Sequence, residues 1–443
     1  MLTFIRKVFL CLFVVCNVSA NCDDRVVVNV DSGVMKPINI ALHVIDRSKS
    51  LEQQILRVVQ NDLQGCGLFK TIPNAAFMQN FHSVDQMPVF ALWKTINAQY
   101  LVNAEVNVSG SMIQVKMILY DVLSNGKISE YSLSGSSSDW RKMSHMIANK
   151  IYERIIGENG YFDTRVLYVA TQRVARGKKI HRLAVMDQDG ANHRYLTSGN
   201  TTVLTPRLSP NGREFCFFAY REKKVNGRRI PIDACIYKYD FASGRTQLLI
   251  KAQGMSYAPR YSPDGNSLVF SMTKQGSSSI YRYDMITKKI ERLTKGRCID
   301  TSPCYSPDGK FIVFNSDRGG AQQLYIMNSD GSNIRRLSFG NYRYATPVWS
   351  PRGDWIAYTC FNKDGFFIGV IRPDGSSERR IATGYLVESP SWSPNGREIL
   401  YCNQDWNQKE KICRVDITGY NKHELATPLN AIDPEWSANL GLN

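Results

Sequence analysis

The sequence predicts a small amino-terminal α/β domain followed by a six-bladed β-propeller closed by its own carboxyl-terminal strand. Three observations predict this. A short proline phrase recurs six times at near-constant spacing, a Ser-Pro-x-Gly turn follows five of its copies, and the pattern before Arg165 changes to helices mixed with longer strands. The 443 residues exceed what one core usually serves, so two domains are expected.

From the beginning of the chain, residues 1–20 read as a signal peptide. Arg6 and Lys7 supply a basic start, residues 8–15 an apolar stretch too short to span a bilayer, and Val18-Ser19-Ala20 a small-residue cleavage site. Asn21 before Cys22 is a poor context for lipidation. Residues 21–34 form the next unit. Its core, Arg25-Val26-Val27-Val28-Asn29-Val30, is β-branched and short. Such a strand either pairs within its own domain or adds to the sheet edge of a partner, and the residues alone leave both open.

Residues 35–160 carry the α/β pattern. Ser50 opens a helix with Gln53 at the capping-box position, and Leu51, Ile55, Val58, Val59 and Leu63 share one face. Gly65 and Gly67 end it. A second helix is expected over 88–96. Strands follow over 100–108, 112–119 and 127–133, the last two joined by the turn Ser124-Asn125-Gly126. A long amphipathic helix covers 139–156 and stops at Gly157.

Residues 165–443 carry the repeat. Its prolines are Pro206, Pro259, Pro303, Pro347, Pro390 and Pro434, separated by 53, 44, 44, 43 and 44 residues. Each phrase, then a turn such as Ser262-Pro-Asp-Gly or Ser393-Pro-Asn-Gly, then two β-rich runs and a short basic run, makes four strands per period, the length of a propeller blade. Three strands (165–170, 182–186, 194–196) precede the first phrase and one (432–437) follows the last turn, so together they complete a sixth blade. Closure removes the exposed edges that an open array would leave. The longer first interval is read as a loop insertion over 223–232.

Composition narrows the function. The formal net charge of +16 sits almost wholly in the propeller, where 165–443 hold 40 Lys and Arg against 25 Asp and Glu, while 21–164 hold 13 against 14. No basic run has the density of a nucleic-acid tract, so no nucleic-acid partner is expected; an anionic protein or envelope surface fits an exported chain better, and charge that merely keeps the chain soluble fits better again. Nine of the eleven cysteines lie beyond the signal, with no CxxC pair, and read as small buried hydrophobes. Cys402 with Cys413 and Cys216 with Cys235 sit where neighbouring strands allow them to face each other.

Enzymatic readings find little support. A propeller-gated serine peptidase needs a Gly-x-Ser-x-Gly elbow, which is absent. His43, His82, His145, His181, His193 and His423 show no ligand spacing with one another. Asp264 and Asp308 are explained by bonds to their own turns rather than by calcium. A sugar- or lactone-processing propeller, or a small-ligand binder, remains the alternative. It requires Asp300, Glu388 and Asp433 to converge in the channel.

The chain resembles the TolB family of the Tol-Pal envelope system. The match is carried by Val28-Asn29-Val30-Asp31-Ser32-Gly33-Val34 with Pro37-Ile38, by Gly157-Glu158-Asn159-Gly160-Tyr161-Phe162-Asp163-Thr164-Arg165-Val166, by the Ser-Pro-Asp-Gly blades and by the Trp-Ser ending. The resemblance implies a non-catalytic, cofactor-free, monomeric periplasmic scaffold. It would link the inner-membrane protein TolA to the peptidoglycan-associated lipoprotein Pal, and so reach the outer membrane peripherally, in support of envelope integrity and constriction at division. TolA binding would fall on Asp24, Arg25, Val26, Val28, Val30 and Asp31. Pal binding would fall on the loops leading into the innermost strands: Met255, Tyr257, Arg297, Asp300, Thr301, Arg343, Tyr344, Thr346 and Glu388. Met255 stands where a polar residue or histidine is expected in the family. Independently of the family, those loops surround one concave mouth, and Tyr and Arg there are the types enriched at interface hot spots.

Overall fold

The computed structural model describes residues 36–45, 50–174, 179–225, 228–251, 254–363 and 365–438. The expected signal peptide (1–20) and the whole 21–34 unit lie outside them, including every TolA-type residue named above.

The α/β region is a five-stranded sheet. Its strands are β1 (Ile38–Ile45), β2 (Phe69–Thr71), β3 (Tyr100–Ser109), β4 (Met112–Asp121) and β5 (Gly126–Ser136), in the order β2-β1-β3-β4-β5. β1 runs parallel to β2 and β3, and the β3-β4-β5 meander is antiparallel. Helices α1 (Leu51–Gly65) and α3 (Trp140–Ile156) pack on one face. The short α2 (Phe90–Thr95) starts two residues later than expected. Asn125 adopts φ 57°, as the hairpin turn requires. Ser50 does precede α1, but its side chain makes no cap bond and its backbone is already helical, so the capping box is not formed. Gly157 closes α3 at φ 78°, and its N–H returns to the Glu153 carbonyl.

Six four-stranded sheets follow and form the propeller. The first blade pairs Asn430–Trp436 with Arg165–Arg173, then Lys179–Asp187 and Arg194–Tyr195. Trp436 lies opposite Val166, Ser437 N donates to Arg165 O at 2.8 Å, and Arg165 N donates to Ser437 Oγ at 2.9 Å. The ring is closed by its last strand.

Each proline phrase has a specific geometry. The residue before proline (Thr205, Ala258, Ser302, Thr346, Ser389 or Asp433) has φ between 46° and 58°, and strand register shifts across every one of these positions. Proline has no N–H for the ladder, so each innermost strand bulges at the dipeptide. A non-glycine residue held there costs on the order of 1–3 kcal/mol, which the packed ring must offset. In the following turns, Asp264 Oδ1 accepts from Asn266 N and Asp308 Oδ1 from Lys310 N, so both aspartates serve their own loops.

Two expectations are corrected. The 223–232 segment is no loop insertion, because its backbone extends the hairpin of Glu214–Val225 and Arg228–Asp240, with Val225 opposite Arg228. Cys235 lies opposite Ala219 rather than Cys216, and Cys402 lies opposite Ile412, which turns Cys402 and Cys413 to opposite faces of the sheet. The eight cysteines among the described residues form no disulfide with one another.

One apolar core joins both parts, running from Ile40, Val59 and Ile147 through Tyr161 and Phe162 into Tyr168, Leu400 and Trp436. The connecting segment is drawn tight against α3. Asn149 Oδ1 accepts from Phe162 N at 2.8 Å, and a Cβ on Gly160 would meet Asn149 Cα at 2.7 Å. Only glycine fits there.

Candidate functional site: the mouth of the propeller

Strand direction alternates within each blade, so the turns after the first and third strands lie on one face. Those turns hold the α/β region: Asn395 Nδ2 donates to Asn159 O, Asn421 Nδ2 to Gly65 O, and Glu158 pairs with Arg352 and Arg397 at 2.5 Å each. Burial alone would raise the Glu158 carboxyl, but the two guanidinium groups bring it below its ordinary value. The opposite face, where chains lead into the innermost strands, carries nothing else among the described residues. This is the mouth.

The Pal-type residues all fall at the mouth ends of four consecutive innermost strands or the loops before them. Met255, Arg297 and Arg343 are exposed, and Arg343 lies over the Phe361 ring at 6.0 Å. Tyr257 is half-buried, its hydroxyl donating to Ser278 Oγ at 3.0 Å. Thr301 accepts from Asn315 Nδ2 at 2.7 Å, and Thr346 shares a 2.8 Å bond with Thr359. Two residues are placed differently from the others. Tyr344 is 0% exposed, with its hydroxyl bonded to Glu378, so its ring is out of reach of a partner. Asp300 is 1% exposed and held by Arg318 through two 2.9 Å bonds.

That pairing also separates Asp300 from the channel acids. Glu388 is pushed up to about 7 by burial first, then by Asp433 and Glu410. Asp433 is engaged by Thr205 N at 3.0 Å and Ser389 Oγ at 2.9 Å, and Glu410 by Lys179 at 2.6 Å. The three acids weighed for sugar or lactone chemistry therefore do not converge as a set.

Sequence reasoning missed the apolar part of this rim. Trp406 is 81% exposed and meets Tyr385 at a centroid distance of 4.1 Å, while Phe339 and Ile299 are also exposed. An open groove of about 860 Å³ beside them is lined by Arg336, Phe339, Tyr342, Arg343, Phe361 and Lys363. The available signal was an aromatic in a polar hairpin, Asp405-Trp406-Asn407-Gln408, which packing inside a blade does not explain. Exposed aromatics set among arginines and lysines make a surface suited to another protein rather than to a small substrate.

Comparison with known proteins shows the family of the chain. The TolB amino-terminal domain family matches residues 26–128, and the TolB beta propeller domain family matches 152–440. The chain belongs to the TolB family. It is 46% identical to the Tol-Pal system protein TolB of Rickettsia felis over 429 residues, covering 93% of this chain and 94% of that one. The Rickettsia africae protein of the same description is 47% identical over 429 residues, with the same coverage. The crystal structure of TolB from Acinetobacter baumannii shares the fold with a TM-score of 0.80 at 24% identity, covering 91% of this chain and 97% of that one. The amino-terminal domain and the propeller of that family are both represented here.

Proposed function

We propose that the protein is a non-catalytic scaffold of the Tol-Pal system in the periplasm. In this reading the mouth of the propeller binds a Pal-like lipoprotein, and residues 21–34 add as a strand to a TolA-like inner-membrane partner. It works as a monomer without a cofactor, reaches the outer membrane through its lipoprotein partner, and supports envelope integrity and constriction at division. The observation that carries the reading is the aromatic and basic rim (Trp406, Tyr385, Phe339, Arg297, Arg343) on the face left free by the α/β region of a TolB-family chain. Met255, Tyr257, Thr301, Thr346 and Glu388 complete the proposed contact. Tyr344 and Asp300 support the loops from beneath.

Titration calorimetry with the soluble part of the lipoprotein tests it. Trp406→Ala is expected to weaken binding by about 2 kcal/mol, as buried aromatic anchors do, and Arg297→Glu with Arg343→Glu to weaken it further in low salt. Unchanged affinity in both proteins removes the mouth as the site. A chain lacking residues 21–34 is expected to keep the lipoprotein and lose the TolA-like partner in an envelope pull-down. Retention of both partners refutes the strand assignment.

A further inference from the structure

On the face opposite the mouth, α3 meets the turn after the second long strand of the first blade. His145 on α3 is 3% exposed. Its Nδ1 bonds Asp62 Oδ2 at 2.6 Å, while its Nε2 is buried with no hydrogen-bond partner. From the propeller side come Asp187 and Asp189. One ligand atom from each of His145, Asp187 and Asp189 lies within 4.8 Å of the other two. The turn between the aspartates is fixed from both sides: Gln188 N donates to Thr164 O, its Nε2 donates to Asp62 Oδ1 at 2.7 Å, and its Oε1 accepts from Arg414 at 2.9 Å.

We propose that His145 Nε2, Asp187 and Asp189 form a divalent-cation site of the zinc class that bridges the α/β region to the propeller. The chemistry of the set is specific. A ligating imidazole almost always gives its other ring N–H to a carboxylate, which fixes tautomer and ring plane, and Asp62 occupies that place. One imidazole and two carboxylates, with water as a fourth ligand, suit zinc in tetrahedral geometry. Bond lengths of about 2.0–2.2 Å put ligand atoms about 3.4 Å apart, so the groups must draw in from their present separation by on the order of 1 Å. Asp187 lines an open groove of about 960 Å³, which gives an ion its path from solvent.

A cation already tests the same position. Arg141, one helical turn before His145, bonds Asp187 Oδ2 at 3.3 Å and Asp189 Oδ2 at 2.5 Å. Asn192 Nδ2 also donates to Asp187 Oδ2, Ala191 N to Asp189 Oδ1, and Arg165 Nε reaches Asp187 Oδ1 only at 4.0 Å. Each carboxylate therefore keeps lone pairs for a metal. Arg141 is the competitor a metal displaces toward solvent, and binding also displaces any proton on Nε2.

The test is calorimetric titration of the metal-free full chain with Zn²⁺, with Co²⁺ absorption to report imidazole and carboxylate ligation. One ion per chain is expected. His145→Gln and Asp189→Asn are each expected to weaken binding at least tenfold, and Arg141→Gln to tighten it because the competing cation is gone. Thermal unfolding without metal serves as the fold control. Absence of binding in both the wild type and Arg141→Gln overturns the proposal, and so does zinc binding that His145→Gln leaves unchanged.

Discussion

Trp436→Ala probes the closure of the ring. The indole is 5% exposed, meets Tyr161 edge-on at a centroid distance of 5.5 Å, and donates through Nε1 to Thr164 Oγ1 at 2.8 Å. Truncating a buried tryptophan costs about 3–5 kcal/mol, of which the lost hydrogen bond supplies about 1. Thr164 keeps its own bond to the Tyr161 carbonyl, so no buried hydroxyl is stranded to add to the cost. Taking about 4 kcal/mol, and about 2 °C per kcal/mol for a cooperative unit of this size, Tm falls by roughly 8 °C. Trp436→Phe, which keeps most of the apolar volume, falls by roughly 2–4 °C on the same scale. The exposed Trp406→Ala stays within about 0.5 kcal/mol of the parent and is the control. Thermal unfolding followed by circular dichroism measures all three. A Trp436→Ala protein as stable as Trp406→Ala would show that the last strand does not hold the ring shut.

Three further outcomes follow from the same contacts. Glu388, raised to about 7, is protonated more readily folded than unfolded, so its contribution is fully present below about pH 4.5 and lost as pH rises through about 7; Glu388→Gln is therefore expected to be the more stable protein at pH 8, by about 1–3 kcal/mol, and to lose that advantage near pH 4.5 in urea titrations. Arg414 pairs with the buried Glu398 at 3.1 Å, so Arg414→Met strands a carboxylate and costs about 3–5 kcal/mol, of which Arg414→Met with Glu398→Gln should recover only part, because Arg414 also donates to Gln188 Oε1 and Gly65 O. Tyr344→Phe removes one of two hydroxyls bonded to Glu378, and should lower stability by about 1 kcal/mol while leaving lipoprotein affinity unchanged.

The propeller was legible because each blade repeats the same local chemistry. Proline, Ser-Pro-x-Gly turns and alternating apolar runs act within a few residues, and a constant period exposes them. The meander β3-β4-β5 was legible for the same reason. The parallel strands β1 and β2 were not assigned, because β2 is three residues long and parallel pairing leaves no hairpin signal. The bulges were hidden as well: a proline in a strand announces a defect but not the positive φ before it, and at Ser302 the displaced N–H is met by Ser271 Oγ of the neighbouring blade, out of reach of local sequence. At the mouth, Arg297 and Arg343 were found from type and loop position, while Tyr344, of equally suitable type, is buried because strand alternation turns it inward. His145 lies more than forty positions before Asp187 and Asp189, in the other folding unit, and only packing brings it to them.

The contact between Arg165 N and Ser437 Oγ spans 272 positions of chain. Bringing such distant segments together is entropically costly and slow, so the seam belongs among the late events of folding. Until Asn430–Trp436 arrives, Arg165–Arg173 is a bare β-edge with unanswered amides, open to capture by any extended segment nearby. Folding thus passes through a sticky, horseshoe-like stage. Its vulnerability to proteases and to self-association is set by how quickly that one seam is sewn.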